Sequence, residues 1–497
     1  MSIHFQNVVV NNADENTVQI SGNLAPSSAN TYSLGSPANS WNQLTLGPWT
    51  IRSIPSGTLD TNFGNQGTVV SEAPIQSYST NIVLDNENRV LVGGIFDVNG
   101  YSNYGFVRYL PTGVIDIVFG EQGYVITDIS NDFNVSSNFF SGKIVTVDTS
   151  NNIIFAGTTG YNNQYYVILA RYSSSGDIDT TFGVNGYVIT DFSGNDSSIE
   201  MSVALDQQNN IVVVGNNTDS DGNTHYALAK YLANGIIDAS FGTNGFVVAD
   251  FAMNGLSSYA NSVVIDQQNN IIIAGYSATN NNGQFYYYAL AKYSANGVLD
   301  TGFGNGGSVV TTFSSIDYSA AFSVAIDQQN NILVAGVDQV NNINDYNYTI
   351  AKYDPSGQIV TGFGNNGVVE TDFSGNYSSF ALSVVVDQQN SIIVSGFASY
   401  DSYSLPLYGL SKYNNNGVLD TTFGNNGSIL TEFGYNVSIS LANSVVIDQQ
   451  NNILVGGLVF FPTMNYALAK YINYIDLVAQ LSGQSEGPVY SLIRNLR

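Results

Sequence analysis

The chain has 497 residues, 43% of them hydrophobic and only 10% charged, with a formal net charge of −26. A large core can be buried, the surface must be polar but mostly neutral, and the scarcity of Lys and Arg excludes nucleic acid and anionic membrane surfaces as partners. Cysteine is absent, which excludes disulfides and thiolate metal sites, and no apolar run reaches the roughly 18 to 20 residues needed for membrane insertion as a helix.

Residues 1–50 read as short strands and turns. The opening MSIHFQNVVVNN carries neither a basic nor a long apolar region, so no signal peptide is expected. The stretch TYSLGSPANSWNQLTLG, through Tyr32, Leu34, Gly35, Ser36, Trp41, Leu44 and Leu46, resembles short segments of tail-fibre and spike proteins of phages and giant viruses. That resemblance implies an intertwined, usually trimeric, β-rich stalk, so residues 1–50 are expected to be an anchor or oligomerisation arm, with a homo-oligomer (trimer) formed through them. The alternative is a β-arm packed on the body of the protein.

From about residue 57 to 471 one sentence is repeated seven times, clearest from Asp266 to Gly307. A turn DQQNN leads into the apolar strand IIIAG, a variable stretch ends in YALAKY, and the unit closes with NGVLDTGFGNGG. Seven self-similar units indicate a repeat array. Val, Ile, Phe and Tyr fill four short stretches per unit, and Gly, Asn, Asp and Ser bound them, which is the pattern of strands rather than helices. The sequence therefore predicts an all-β fold, a seven-bladed β-propeller of four-stranded blades preceded by a short β-rich arm. A β-helix or open solenoid is the runner-up. The tail, 472–497, is expected to hold a short helix or a packing strand.

Spacing adds what composition cannot. From the turn Asp to the strand-ending Gly the interval is nine in all seven units, as at Asp266 and Gly275. From the Tyr that ends the Lys-Tyr or Arg-Tyr pair to the next Phe-Gly it is ten in all six cases, as from Tyr231 to Phe241. The other two connections change length. In an up-and-down meander the two variable connections emerge on one face and the two invariant ones on the other, and the variable face is often the binding face. The Phe of each FGxxG is expected as a core plug between blades, the Asp three residues before it in every unit but the sixth, where Val360 stands, as a turn cap, and the repeated Lys or Arg as half of an ion pair with a nearby Asp. With the FGxxG strand outermost, residues 67–70 complete the seventh blade.

The motif ALAKYxxxGxLDxxFGxxG, seen at Ala229–Gly245 and Ala291–Gly307, resembles the delta-60 repeat, a β-propeller repeat of large bacterial surface or secreted proteins that also occurs in giant viruses. The resemblance covers the repeat region and implies a fold, but no chemistry and no cofactor.

A residue found in every blade serves the blade, so a site is sought where blades differ. The variable connections and their flanks are rich in Tyr, Asn, Ser and Gly, the composition of adaptable binding surfaces. Tyr101, Tyr104, Tyr161, Tyr165, Tyr286, Tyr400, Tyr403 and Tyr408 are the candidate binding residues. His4 and His225 are the only histidines, and no Ser-His-Asp set can be assembled around them. Asp219, Asp221 and Asn223 resemble part of a calcium loop, but the Glu that would close it is missing, which favours a plain turn. Asn-x-Ser/Thr sequons at Asn134, Asn195, Asn216, Asn347, Asn376 and Asn436 fall in or beside the variable connections and are candidate glycosylation sites. The sequence thus suggests a non-enzymatic virion or extracellular surface protein that binds a protein or glycan through its variable face. The alternative is a secreted propeller enzyme or lectin acting on carbohydrate.

Overall fold

The computed structural model describes residues 49–481 except 72–76, 99–100, 128–143, 162–163, 191–201, 220–221, 252–256, 279–285, 314–317, 340–345, 372, 374–377, 400–404, 435–436, 438, 461–462 and 475; before that it describes only the strands Ser2–Phe5, Leu24–Ser27, Gly35–Ser36, Asn39–Ser40 and Gln43–Leu46. Seven four-stranded antiparallel sheets form, and the described residues contain no helix. Blade four shows the plan. Its inner strand Ser258–Ile265 pairs with Ile271–Ala278, which pairs with Tyr286–Tyr293, which pairs with the short outer strand Ser308–Thr311.

The inner strands are stitched to one another around the axis. Val263, Val324, Val384 and Val445 each donate their N–H to the Oγ of Ser202, Ser262, Ser323 or Ser383 in the preceding blade. Asn81 donates to the carbonyl of Val145, and Ser444 donates to that of Ile82 across the closure of the ring. The fixed interval from Asp to Gly has its reason here. The inner strands of blades one, four, five, six and seven carry a β-bulge, at Ala260/Ser262 in blade four and Ala381/Ser383 in blade six. A Cβ on Gly275 or Gly396 would drive into the carbonyl oxygen of Tyr259 or Phe380, so the bulge and the Gly facing it form one device.

The repeated residues take structural roles. Phe63, Phe119, Phe182, Phe241, Phe303, Phe363 and Phe423 are all fully buried plugs. Over them lie the repeated cations: the Arg108 guanidinium is 4.0 Å from the Phe119 ring centre and Lys292 Nζ is 5.9 Å from that of Phe303. Six of the seven cations also donate to a carbonyl in the next blade's loop. Lys230 Nζ lies 3.0 Å from Asp206 Oδ2 and donates to the carbonyl of Ala295 in blade four, while Lys352 pairs with Asp327 at 2.9 Å and donates to Asn415 in blade six. Blades one and two carry Arg instead, whose fork grips Asp116 and Asp179 in the loop before the plug. The Asp of that loop caps it as expected, with Asp238 Oδ1 accepting the N–H of Ser240.

The turn Asp is equally occupied. Asp266 Oδ1 accepts the N–H groups of Gln268 and Asn270, and its Oδ2 accepts from the Asn270 amide. The first Asn of the turn, at position 269 here, has φ of 62° and equivalents at 88, 151, 209, 330, 390 and 451, which suits Asn. Its side chain does more than permit the turn. Asn269 Oδ1 accepts from Gln207 N of the preceding blade and its Nδ2 donates to Gln208 Oε1. Equivalent bonds run from Gln328 to Asn390, Gln388 to Asn451 and Gln449 to Asn88. The invariant face is crowned by amides that tie turn to turn.

Closure follows the expected route. Thr68–Val70 is the outer strand of the blade made by Ile439–Ile447, Ile453–Phe460 and Met464–Tyr471. The loop between third and outer strand of that blade is built from both chain ends. Gly57 N donates to Ile472 O, Ile472 N to Thr58 O, and Asp60 N to Lys470 O, which are the bonds that Gly113, Leu110 and Asp116 make within one continuous loop of blade one. Beyond this joint the ends stay paired: Trp49–Ile54 runs antiparallel to Asp476–Leu481, with Gln43–Leu46 on its other side. The tail therefore supplies a strand, and it shares a sheet with the arm.

Candidate functional site

Since the strands of each blade alternate in direction, the variable connections gather at one end of the ring. That end is where the blades differ. In blades five and seven the inner strand and its neighbour meet there through aliphatic residues, Ala320 opposite Val337 and Leu441 opposite Leu458, and in blade one Tyr78 stands opposite Ile95. Blade four has Tyr259 opposite Tyr276, stacked at 4.7 Å, and blade six has Phe380 opposite Phe397, stacked at 4.7 Å. Tyr286, Tyr318 and Tyr346 fill the space between these pairs. Successive rings are 5.3 Å apart from Tyr276 to Tyr286, 5.6 Å to Tyr318, 5.8 Å to Tyr346 and 5.3 Å to Phe380. Seven aromatic side chains thus run ring to ring across blades four, five and six, stacked at both ends and edge to face or tilted between, every one half-buried. Burial raises the Tyr286 phenol above its ordinary value, with the phenol of Tyr259 adding to it. Neutral hydroxyl groups beside ring surface are what the belt offers a ligand.

Of the eight tyrosines singled out in the sequence, Tyr286 lies in this belt. Tyr101, Tyr161 and Tyr165 stand on strands at the same end of blades one and two, opposite Val98, Gln164 and Gly160. Tyr400 and Tyr403 lie outside the described residues. Tyr104 and Tyr408 are placed otherwise than expected. Both are fully buried, and their hydroxyls donate inward to Thr158 O and Ala467 O in the next blade. Each stands five residues before the Tyr that follows the basic residue, as do Tyr226, Tyr288, Tyr348 and Tyr466. They are repeat residues that serve blade packing.

Next to the belt stands His225, on the third strand of blade three, Thr224–Tyr231. Its Nδ1 is 2.7 Å from Asp250 Oδ1 and its Nε2 is 3.1 Å from Asp219 Oδ2. Burial opposes the charged imidazole, but hydrogen bonds and attraction from Asp219 and Asp250 outweigh it and raise His225 above its ordinary value. The calcium-like stretch forms a turn, as favoured: Asn223 N donates to Asp219 Oδ1 and Gly222 N to Asp219 O. Asp221 lies outside the described residues. No cluster of His, Asp and Glu suited to a metal occurs among the described residues.

The sequons separate. Asn216 is buried and its Oδ1 accepts the N–H of Ala260, so its side chain is committed to the inter-blade contact and is corrected to a structural residue. Asn347 is half-buried and donates to Glu370. Asn134, Asn195, Asn376 and Asn436 lie outside the described residues.

The profile of a family described as a domain of unknown function (DUF5122) beta-propeller matches residues 88–116, 149–182, 207–241 and 267–303. These segments each run from the conserved turn to the loop of the core Phe. Comparison with curated protein sequences finds no match. Among solved structures, the chain is similar to the polysaccharide lyase Uly1 at 9% identity and a TM-score of 0.46, covering 83% of this chain and 91% of that one. It is also similar to a protein from Dyadobacter fermentans at 10% identity and a TM-score of 0.40, covering 85% and 99%. A third, the GH93 alpha-L-arabinofuranosidase of Fusarium graminearum, aligns at 9% identity and a TM-score of 0.39, covering 84% and 97%. Likenesses this distant carry no inference about substrate or chemistry. Two of the three are enzymes by name, and the expectation of a non-enzyme is withdrawn. The expectation rested on finding no catalytic motif, and a site assembled from unlike loops of several blades leaves no motif in line.

Proposed function

We propose that the protein is a carbohydrate-recognising β-propeller that takes its ligand on the variable face, across blades four to six. The observation that carries this reading is the aromatic belt from Tyr259 to Phe397. Nothing in the repeat requires it, since the paired positions of blades one, five and seven do not hold two rings: Tyr78 faces Ile95, Ala320 faces Val337 and Leu441 faces Leu458. Half-buried tyrosines present apolar ring surface and hydroxyls together, as saccharides do, and a net charge of −26 disfavours a strongly anionic ligand. The opposite face is occupied by its own amide and ion-pair network and by both chain ends. A setting at the surface of a cell or virion accords with this division, with the paired ends as the tether, but it rests on sequence resemblance alone.

The test is a binding screen of the full chain against soluble polysaccharides, neutral and acidic, with product analysis in the same tubes. Binding to at least one, weakened tenfold or more by Tyr286→Ala and by Tyr346→Ala, is the expected result. That loss corresponds to about 1.4 kcal/mol. Binding that survives both substitutions removes the belt from the account, and release of shorter products assigns turnover as well as recognition.

A further inference from the structure

The geometry at the edge of blade three points to a control on the belt: we infer that His225, clamped between Asp219 and Asp250, is a positioning residue that fixes the blade-four end of the belt while its imidazole is protonated. The inference rests on the belt being the binding site and adds what sets its shape.

The three groups come from three segments. His225 is on the third strand of blade three, Asp219 is in the turn that precedes that strand, and Asp250 follows the outer strand Phe246–Ala249, where the chain leaves for blade four. An imidazolium donates from both nitrogens, so it satisfies Asp250 through Nδ1 and Asp219 through Nε2 at once. A neutral imidazole has a single N–H. One carboxylate then loses the imidazole's hydrogen bond and faces a lone pair instead. Among the described residues, the phenols of Tyr226 and Tyr293 are close enough to Asp250 to feel its charge. Neither supplies a cation.

The clamp is connected to the belt by short bonds. Thr224, beside His225, donates its N–H to Ser257 Oγ at 3.1 Å, and Ser257 O accepts from Ala278 N. Asn216, on the strand paired with that of His225, accepts from Ala260 N at 2.8 Å. Tyr259 lies between these two anchors, and Tyr276 is its stacked partner. Loosening the third strand of blade three at His225 therefore loosens residues 257–260, the platform of the first stacked pair. The sign follows from the raised imidazole value. The tie is complete below the ordinary histidine value of about 6.5 and is lost as pH rises through the higher value His225 has in the folded chain.

The experiment uses the full chain. The imidazole resonances are followed by NMR from pH 5 to 9, with His225→Gln assigning the signal against His4, and amide exchange protection of residues 257–260 is measured over the same range. The expected result is a His225 midpoint above 6.5, with protection of those amides falling roughly ten- to hundredfold through that midpoint, and no such step in His225→Gln or Asp250→Asn. Protection that stays level while His225 titrates overturns the inference and leaves the glycan reading intact. A protection step without polysaccharide binding at any pH supports the clamp and sinks the glycan reading. Where binding is found, it weakens with the same midpoint in the native chain and is level in the two variants.

Discussion

The two faces of this ring are built from the same strands and obey different rules. On the invariant face the repeated polar groups find repeated partners: Asp266 holds its own turn, Asn269 holds the turn before it, and Lys292 holds a carbonyl of the next blade. At the variable face the corresponding strand ends carry Tyr276 in blade four, Val337 in blade five and Phe397 in blade six. The comparison teaches that repetition marks what the scaffold needs, and that departure from it marks what the scaffold leaves free. Substitutions that confuse the two faces are the way to break it.

The largest effects belong to repeated residues in the core. Phe363→Ala empties a plug that is 1% exposed and is expected to cost about 3–5 kcal/mol in denaturant unfolding. Asp327→Ala strands Lys352, whose side chain is 4% exposed, at a cost of similar size, about 3–5 kcal/mol. Loss below about 1 kcal/mol from either would deny the repeat its structural role. Acid sharpens the same point. Burial opposes ionisation of Asp206 and Asp327, but bonds from Asn210 with Lys230, and from Asn331 with Lys352, hold both carboxyls below the usual range. Their contribution is whole above about pH 4 and is lost as pH falls through the lower folded values. The unfolding midpoint should drop over that window, and less steeply in Asp206→Asn.

A smaller effect is expected at the crown. Asn269→Gly keeps the positive φ and removes both inter-turn bonds, for a loss of about 1 kcal/mol, whereas Asn269→Ala adds backbone strain of about 1 kcal/mol more. Equal losses would mean that the side-chain bonds between turns carry all of the effect. Smallest of all on stability is Tyr286→Ala, a half-buried belt residue, expected within about 1 kcal/mol of the parent while removing ligand.

Much of this was legible in the chain. The blade count, the outer strand at Thr68–Val70, the Phe plugs and the Lys–Asp pairs follow from intervals that do not vary, because a repeat packs against copies of itself and each position meets the same neighbour seven times. The crown was only half legible: QQNN announces a tight turn, but that Asn269 reaches Gln208 in another blade depends on where two turns come to lie in space. The belt was missed except at Tyr286, since attention went to the variable loops while Tyr259, Tyr276, Phe380 and Phe397 stand on strands. Its signal was present, as rings seven residues before and ten after the turn Asp in blades four and six alone. Tyr104 and Tyr408 were misplaced for the converse reason, their repetition in other blades having been overlooked. His225 gave no linear sign, because Asp250 meets it through the pairing of two strands.

The central claim is that recognition belongs to the face where blades differ. Hydrogen–deuterium exchange of the full chain, with and without a saturating polysaccharide chosen from the binding screen, tests it directly. The account predicts slowed exchange at the variable-face ends of blades four to six, around residues 257–260, 276–278, 286–288, 346–348 and 378–380, with the DQQNN turns unchanged. Protection centred on those turns, or spread evenly around the ring, would contradict it.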